Sequence, residues 1–465
     1  MLSHAVTQSG CMSSLDDVLS TVRERVTPTA AERQRLSSTA DRLIARAEAA
    51  IDDRELEADV LQVGSTARGT WLAGDRDIDL FVRFPPDLSR EDLETHGLDI
   101  GHAVLPDGHQ EYAEHPYVKG TVDSFDVDCV PCYRVDSATE IRSAVDRTPF
   151  HTEYLDARID DDLAGDVRVF KRFLKGIGAY GSDLKTRGFS GYLSELLVVE
   201  YGGIVPLLEA AVDWSPPVVF DPEAHGTTSF DDALVVIDPT DPDRNVAAVC
   251  AAENVARLQH YARELLADPE FALFFPPDRE PLTAAAVRER LASRETTPLA
   301  IVFATPDIVD DQLYPQIDKS LAGIESGLAN HGFGVFRSAR FIGDGGETAV
   351  LLFELSTAEL PAVERHEGPP VSVREHATGF YETYVDDGSC VGPFLDGDRY
   401  VVERPREWTD AAAYLDSEAV FEVGLGVRVE SALEDGYDLL VGSEAVADLV
   451  DTLGAGLTDY LDPRP

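Results

Sequence analysis

Between Asp77 and Phe84 the chain reads Asp-Ile-Asp-Leu-Phe-Val-Arg-Phe, two acids alternating with apolar residues before a run that is apolar but for Arg83. Side chains two apart on a strand point the same way. A strand here places the carboxylates of Asp77 and Asp79 on one face and turns Ile78 and Leu80 into a core. Such a strand needs a neighbour on each side and a layer behind it, which already commits this part of the chain to a sheet backed by helices. A second apolar run, Val127 to Tyr133, carries Asp128 at its start. Supplied from a neighbouring strand, Asp128 completes an acidic triad of oxygen ligands suited to Mg²⁺. Two such ions roughly 3.5 to 4 Å apart clamp an in-line displacement at phosphorus.

Upstream, Ala58 to Val63 reads as a short strand ending at Gly64-Ser65, where a helical turn through Arg68 and Trp71 begins. A glycine at that point lets backbone approach a phosphate, and free amides at a helix start favour anions. Ser65 and Arg68 are then natural triphosphate ligands. Alone, a Gly-Ser pair is a turn and an Asp-x-Asp on a strand rim is solvated charge. In this order, with apolar strands around each carboxylate, they describe a nucleotidyltransferase site.

The pattern resembles the nucleotidyltransferase superfamily that includes poly(A) polymerases and oligoadenylate synthetases. Further segments resemble the archaeal, class I CCA-adding enzymes: Tyr112 to Val118, Val127 to Tyr133, Arg147-Thr148-Pro149-Phe150-His151, Val169 to Lys175, Arg187 to Tyr192 and Asp243 to Ala248. The likeness continues through Gly368-Pro369-Pro370, His376 and Tyr400 to Glu403, and so covers nearly the whole chain. It implies template-free addition of C, C and A to the 3′ end of tRNA from CTP and ATP. By motif, Asp77, Asp79 and Asp128 would be the metal-binding catalytic carboxylates, the first being often Glu in relatives. Ser65, Arg68, His151, Lys171 and Tyr180 match nucleotide contacts, and Arg244 is the candidate for reading the incoming base and a tRNA phosphate. Without the likeness, His151 is a strand-end histidine, Lys171 and Tyr180 lie on the polar side of an amphipathic helix, and Arg244 starts a surface helix after a Pro and Asp rich turn. The rivals are a poly(A) polymerase or oligoadenylate synthetase, and a non-catalytic RNA-binding protein of the same fold. A homodimer through the C-terminal part is a family expectation.

With 86 acids against 39 bases the formal charge is −47. On electrostatics alone this argues against a nucleic-acid partner. The acids, however, are spread along every segment between persistent Phe, Val and Leu runs, which describes a folded protein with an acidic skin. Such a skin fits molar salt, where the Debye length is about 3 Å, and points to a halophilic archaeal source. Counterion release contributes little there, so RNA is expected to be held by shape, 2′-hydroxyl contacts and stacking. Arg337, Arg340, Lys319, Arg404 and Arg406 are the candidates for contacts with the tRNA body.

Cys11, Cys129, Cys132, Cys250 and Cys390 form no disulfide framework and fit a reducing cytoplasm. Cys129-Val130-Pro131-Cys132 has redox-motif spacing, but a zinc site needs another pair, so the two sulfurs are expected to pack as apolar groups. Met1 to Met12 lacks the features of a signal peptide, and no stretch of about 20 apolar residues predicts a membrane span.

The fold class expected is α+β multidomain. Residues 1–158 form a mixed nucleotidyltransferase sheet with flanking helices, 159–275 a helical central nucleotide- and tRNA-binding domain, and 276–465 an α+β C-terminal tRNA-binding region. Helices are predicted at Thr29 to Ala50, Asp162 to Ala179, Gly191 to Tyr201, Ile204 to Val212 and Ala247 to Leu266, with the chain largely helical from Asp160 to the Pro and Phe rich stretch near Asp268. Strands are predicted at Tyr117 to Val122 and Ser124 to Tyr133. Beyond Pro281, a strand at Leu299 to Ala304, a helix at Pro315 to Asn330 and strands at Gly334 to Phe341 and Thr348 to Leu355 resemble half a split β-α-β unit.

Overall fold

The computed structural model describes residues 14–226 and 229–465. Cys11 and the Met1 to Met12 stretch lie outside the described residues. The chain divides into two compact units, Met1–Pro277 and Asp278–Pro465.

The first unit is built on a five-stranded sheet of β1 (Asp59–Val63), β2 (Asp77–Phe84), β3 (His109–Tyr112), β4 (Pro116–Val122) and β5 (Phe125–Tyr133), in the order β1-β2-β5-β4-β3. Only β2 and β5 run parallel; the other neighbours are antiparallel. Ile78, Leu80, Val82 and Phe84 from β2, with Val127 and Cys129 from β5, turn to the back of the sheet and form one core with helices Ala30–Asp52 and Arg90–Val104. The first of these helices starts on a capping box: Thr29 Oγ1 accepts from the Glu32 amide, and Glu32 Oε2 accepts from the Thr29 amide at 2.7 Å. The second lies tight on the sheet because Gly97 and Gly101 face it; a Cβ at either would stand 2.5 Å from Pro131 or Val118.

Helices Leu15–Val26, Asp161–Gly176, Gly191–Tyr201, Ile204–Val212 and Ala252–Ala267 form a separate core around Phe170, Phe173, Leu196, Leu197 and Leu258. Gly202, at φ +72°, ends the third of them in a left-handed cap. The segment is less helical than its sequence predicts. Leu234–Asp238 and Asp241–Asn245 pair antiparallel, and Val218–Phe220 joins them in a small sheet. The Leu-Val-Val-Ile run is wholly buried there, and a run that short fits either a strand or a buried helical turn by periodicity alone.

In the second unit Thr297–Ala304 and Gly334–Ile342 each pair antiparallel with Thr348–Thr357 between them, and Tyr437–Val441 adds the far edge. Thr297–Ala304, helix Asp310–Asn330 and Gly334–Ile342 thus make a split β-α-β unit. The helix begins a turn before the residue predicted, with Pro315 inside it. A three-stranded sheet of Val363–Pro370, Arg399–Pro405 and Val391–Asp396 carries helix Arg374–Tyr384. No helix among the described residues is long and apolar enough to cross a membrane.

Candidate active site

The parallel register of β2 and β5 sets Asp77 beside Asp126 and Asp79 beside Asp128. All four carboxylates therefore leave the same face of the sheet, opposite the helical core. Burial, then the charges of Asp128 and Asp77, push the Asp79 carboxyl up to about 6. Burial also raises Asp77 and Asp128. One cation meets this face from β4: Lys119 is the direct cross-strand partner of Asp128, and its Nζ lies 3.3 Å from Oδ1. Gly64, at φ +79°, ends β1 against the same group. A Cβ there would stand 2.3 Å from Asp79 Oδ2, so both the backbone angle and the close approach require glycine.

The donor set fits a hard divalent cation. It is all oxygen, two ligands from one strand and one from the next, and its carboxyls are held up by burial and by one another, so that added positive charge relieves a built-in repulsion. The side chains as they stand are not drawn into a closed cage: among the described residues no three Asp, Glu, His or Cys side chains are gathered as a metal site.

Beyond Gly64 the predicted helical turn is four residues long, Gly64–Ala67. Arg68 follows it, and its guanidinium is not free. Arg68 Nε and Nη2 both reach Glu195 Oε2 at 2.8 Å, while Nη1 donates to Thr152 Oγ1 at 3.1 Å. Lys171 Nζ donates to the other oxygen, Glu195 Oε1, at 2.7 Å, and Thr70 Oγ1 donates there too. Side-chain exposure is 6% for Arg68, 3% for Lys171 and zero for Glu195. Lys171 is thus inside the protein, not on a solvated helix face, and burial lowers its proton affinity against the pull of Glu195. Burial raises the Glu195 carboxyl, but Lys171 and Arg68 outweigh it and leave it below its ordinary value. Tyr180 is not on the helix at all. The helix ends at Gly176, and Tyr180 bridges to Phe189 as part of a short loop. Gly178, at φ +72°, turns the chain between them.

A second cluster centres on Asp238, at the end of its buried strand. His151 Nε2 lies 2.8 Å and Arg244 Nη1 2.7 Å from Asp238 Oδ2, while Oδ1 accepts from the Thr240 amide and hydroxyl. Burial opposes ionisation of Asp238, but the His151 and Thr240 contacts overcome it and hold the carboxyl far below the usual range. Burial lowers His151 in spite of Asp238. The His151 ring stacks on Tyr192 with centroids 3.9 Å apart at 13°. Arg244 sits on a strand, not at a helix start as its preceding turn predicts.

Cys129 and Cys132 face opposite sides of β5, one in the helix-backed core and one with Val63, Phe81 and Val130 on the front. They cannot share a ligand, and burial pushes the Cys129 thiol up to about 12.

Three family profiles match in succession: "Nucleotidyltransferase domain" over residues 44–151, "tRNA nucleotidyltransferase, second domain" over 165–275, and "CCA-adding enzyme, C-terminal domain" over 294–442. The chain is 59% identical to the CCA-adding enzyme of Haloarcula marismortui, over 97% of its own length and 99% of the relative's. It is 58% identical to that of Halobacterium salinarum, over 97% and 100%. The chain belongs to the CCA-adding enzyme family. The likeness extends to the enzyme of Methanosarcina mazei at 40% identity, over 92% of the chain and 94% of the relative. In family terms the first profile spans Ser65, Arg68, the three carboxylates and His151, and the second spans Lys171, Tyr180 and Arg244. Lys119, Asp126, Glu195, Tyr192 and Asp238 contact or adjoin these residues, and no motif in the sequence assigns them a role. Glu195 did leave a signal, as the only acid in Gly191 to Val199.

Proposed function

We propose that this protein adds C, C and A in turn to the 3′ end of tRNA, without a nucleic-acid template, from CTP and ATP. The primer 3′-hydroxyl oxygen attacks the α-phosphorus, the bond to the bridging oxygen of the β-phosphate breaks, and pyrophosphate leaves. The observation that carries this reading is the register of β2 and β5, which supports Asp77, Asp79 and Asp128 as one catalytic set. These residues would hold Mg²⁺, which when bound supplies a Lewis acid for the attacking hydroxyl and the leaving oxygen. Gly64 fixes Asp79 at the β1 turn, and Ser65, Arg68, Lys171 and Tyr180 receive the triphosphate. His151 and Arg244, joined through Asp238, face the nucleotide, with Arg244 reading the incoming base. Residues 1–158 carry catalysis, 159–275 help bind nucleotide and tRNA, and 276–465 grip the tRNA body. A cytoplasmic location and a homodimer through the C-terminal region rest on the same family likeness.

The test is to incubate the protein with tRNA lacking its terminal CCA, Mg²⁺ and labelled CTP and ATP in molar KCl, and to sequence the 3′ ends. Addition of CCA followed by arrest is expected. Open-ended A addition moves the reading to a poly(A) polymerase, and no addition at any salt leaves an RNA-binding protein.

A further inference from the structure

One buried group that the proposed reaction does not use is an anion. Glu195 is fully buried in a helix whose Leu193, Leu196, Leu197 and Val198 are buried as well. Its two oxygens take two donors from Arg68, one from Lys171 and one from Thr70, which saturates them. The partners come from two segments, the loop after Gly64 and helix Asp161–Gly176, and meet Glu195 on helix Gly191–Tyr201. One carboxylate against two cations leaves the group with one net positive charge inside a protein of charge −47. The remaining donors of Lys171 are loosely held, reaching Thr70 O and Oγ1 only at 3.4 Å. Gly191 lies against them. Gly191 has no side chain, and a Cβ there would stand 3.2 Å from the Tyr180 hydroxyl and 3.8 Å from Lys171 Nζ.

We propose that Glu195 is a positioning residue for the nucleotide polyphosphate. It holds Arg68 and Lys171 at one fixed spacing beside the Gly64-Ser65 turn and leaves them with a single uncompensated charge that a polyphosphate neutralises. Two guanidinium nitrogens on one carboxylate oxygen, with the third on Thr152, fix the plane of Arg68, and the other oxygen keeps the ammonium protonated and aimed. This rests on Arg68 and Lys171 as triphosphate ligands, and it gives the carboxylate between them a role in affinity for the nucleotide rather than for RNA.

The experiment uses the full chain in molar KCl, with inorganic tripolyphosphate as the probe, read by calorimetric binding and by competition against CTP. For Glu195→Gln the tripolyphosphate dissociation constant and the KM for CTP are expected to rise about tenfold, with the KM for tRNA within about twofold of wild type. Glu195→Asp keeps the charge, and with it the fold, but its arm is one methylene shorter and cannot span both cations; it is expected to weaken tripolyphosphate several-fold. Unchanged tripolyphosphate binding in the Asp variant overturns the proposal even where the Gln variant does not fold. So does a loss shared equally by CTP, tRNA and kcat, the mark of a purely structural acid. If wild type completes CCA while both variants bind tripolyphosphate normally, only this inference fails; no incorporation by wild type overturns both.

Discussion

Asp79→Asn separates the stability of the carboxylate face from its chemistry. The Asp79 carboxyl sits at about 6 against 3.8 for an ordinary aspartate, with burial as the main cause and Asp128 and Asp77 behind it. Its folded pKa is raised, so its stabilising contribution is complete below pH ~4 and is lost as pH rises through about 6. At ~1.4 kcal/mol per pKa unit, the ionised group burdens the fold by ~3 kcal/mol at neutral pH. Molar salt screens the repulsion by Asp77 and Asp128 but leaves most of the burial cost. Asparagine carries no charge and removes the burden. In EDTA at pH about 7.5, calorimetry should find the variant melting roughly 6–12 °C above wild type at most, given roughly 2–4 °C per kcal/mol for a unit of this size. The gap should close toward pH ~4. CCA incorporation should fall about a thousandfold, since several kcal/mol of charge stabilisation goes with a lost metal ligand. Two parallel melting curves from pH ~4 to ~7, with the variant no more stable than wild type, would refute the reasoning.

Gly64→Ala places a Cβ 2.3 Å from Asp79 Oδ2 at a left-handed backbone angle; incorporation should drop about a hundredfold for a loss of about 1–3 kcal/mol in chemical denaturation. Arg244→Ala should reduce discrimination between CTP and ATP about tenfold in single-nucleotide assays, and unchanged preference removes Arg244 from base reading. The same change raises the His151 pKa, because Arg244 is one of the charges that lower it, and an NMR titration of the ring reads the shift directly. Lowering KCl from molar to about 0.1 M lengthens the Debye length from about 3 to 10 Å and exposes the −47 charge to itself; the melting temperature should fall, and a constant one would show that the acidic skin is not under screening control.

What the sequence made legible was whatever local periodicity and turn residues determine. Asp77 to Phe84 is a strand over those residues, and Gly191 to Tyr201 and Ile204 to Val212 are helices to the residue. Asp77, Asp79 and Asp128 lie on one face because alternation allows nothing else once β2 and β5 pair. The parts that escaped depend on what arrives from elsewhere in the chain. Lys119 becomes the cross-strand partner of Asp128 only through the β4 register. Lys171 has the spacing of a solvated lysine until Glu195, 24 residues on, draws it inside. Gly97 and Gly101 lower the helix propensity of Arg90–Val104, yet those glycines are what let it lie on the sheet.

In the second unit the arginines proposed to meet the tRNA body already have carboxylate partners. Arg340 is paired with Asp318, Arg404 and Arg406 share Glu364, and Arg337 lies 3.9 Å from the buried Glu354. Lys319 is exposed on the Asp310–Asn330 helix. Under that proposal, an RNA phosphate reaching one of the four arginines would meet a carboxylate already there, so binding would exchange one anion for another rather than fill an empty place. Exchange of this kind releases few counterions and yields little from charge alone. It also leaves each guanidinium held in one orientation before contact, which favours RNA whose phosphates match that spacing. In molar salt, where long-range attraction is screened within about 3 Å, pre-set geometry is the part of an electrostatic interface that survives. The same principle governs Arg68 and Lys171, held by Glu195 deep in the first unit.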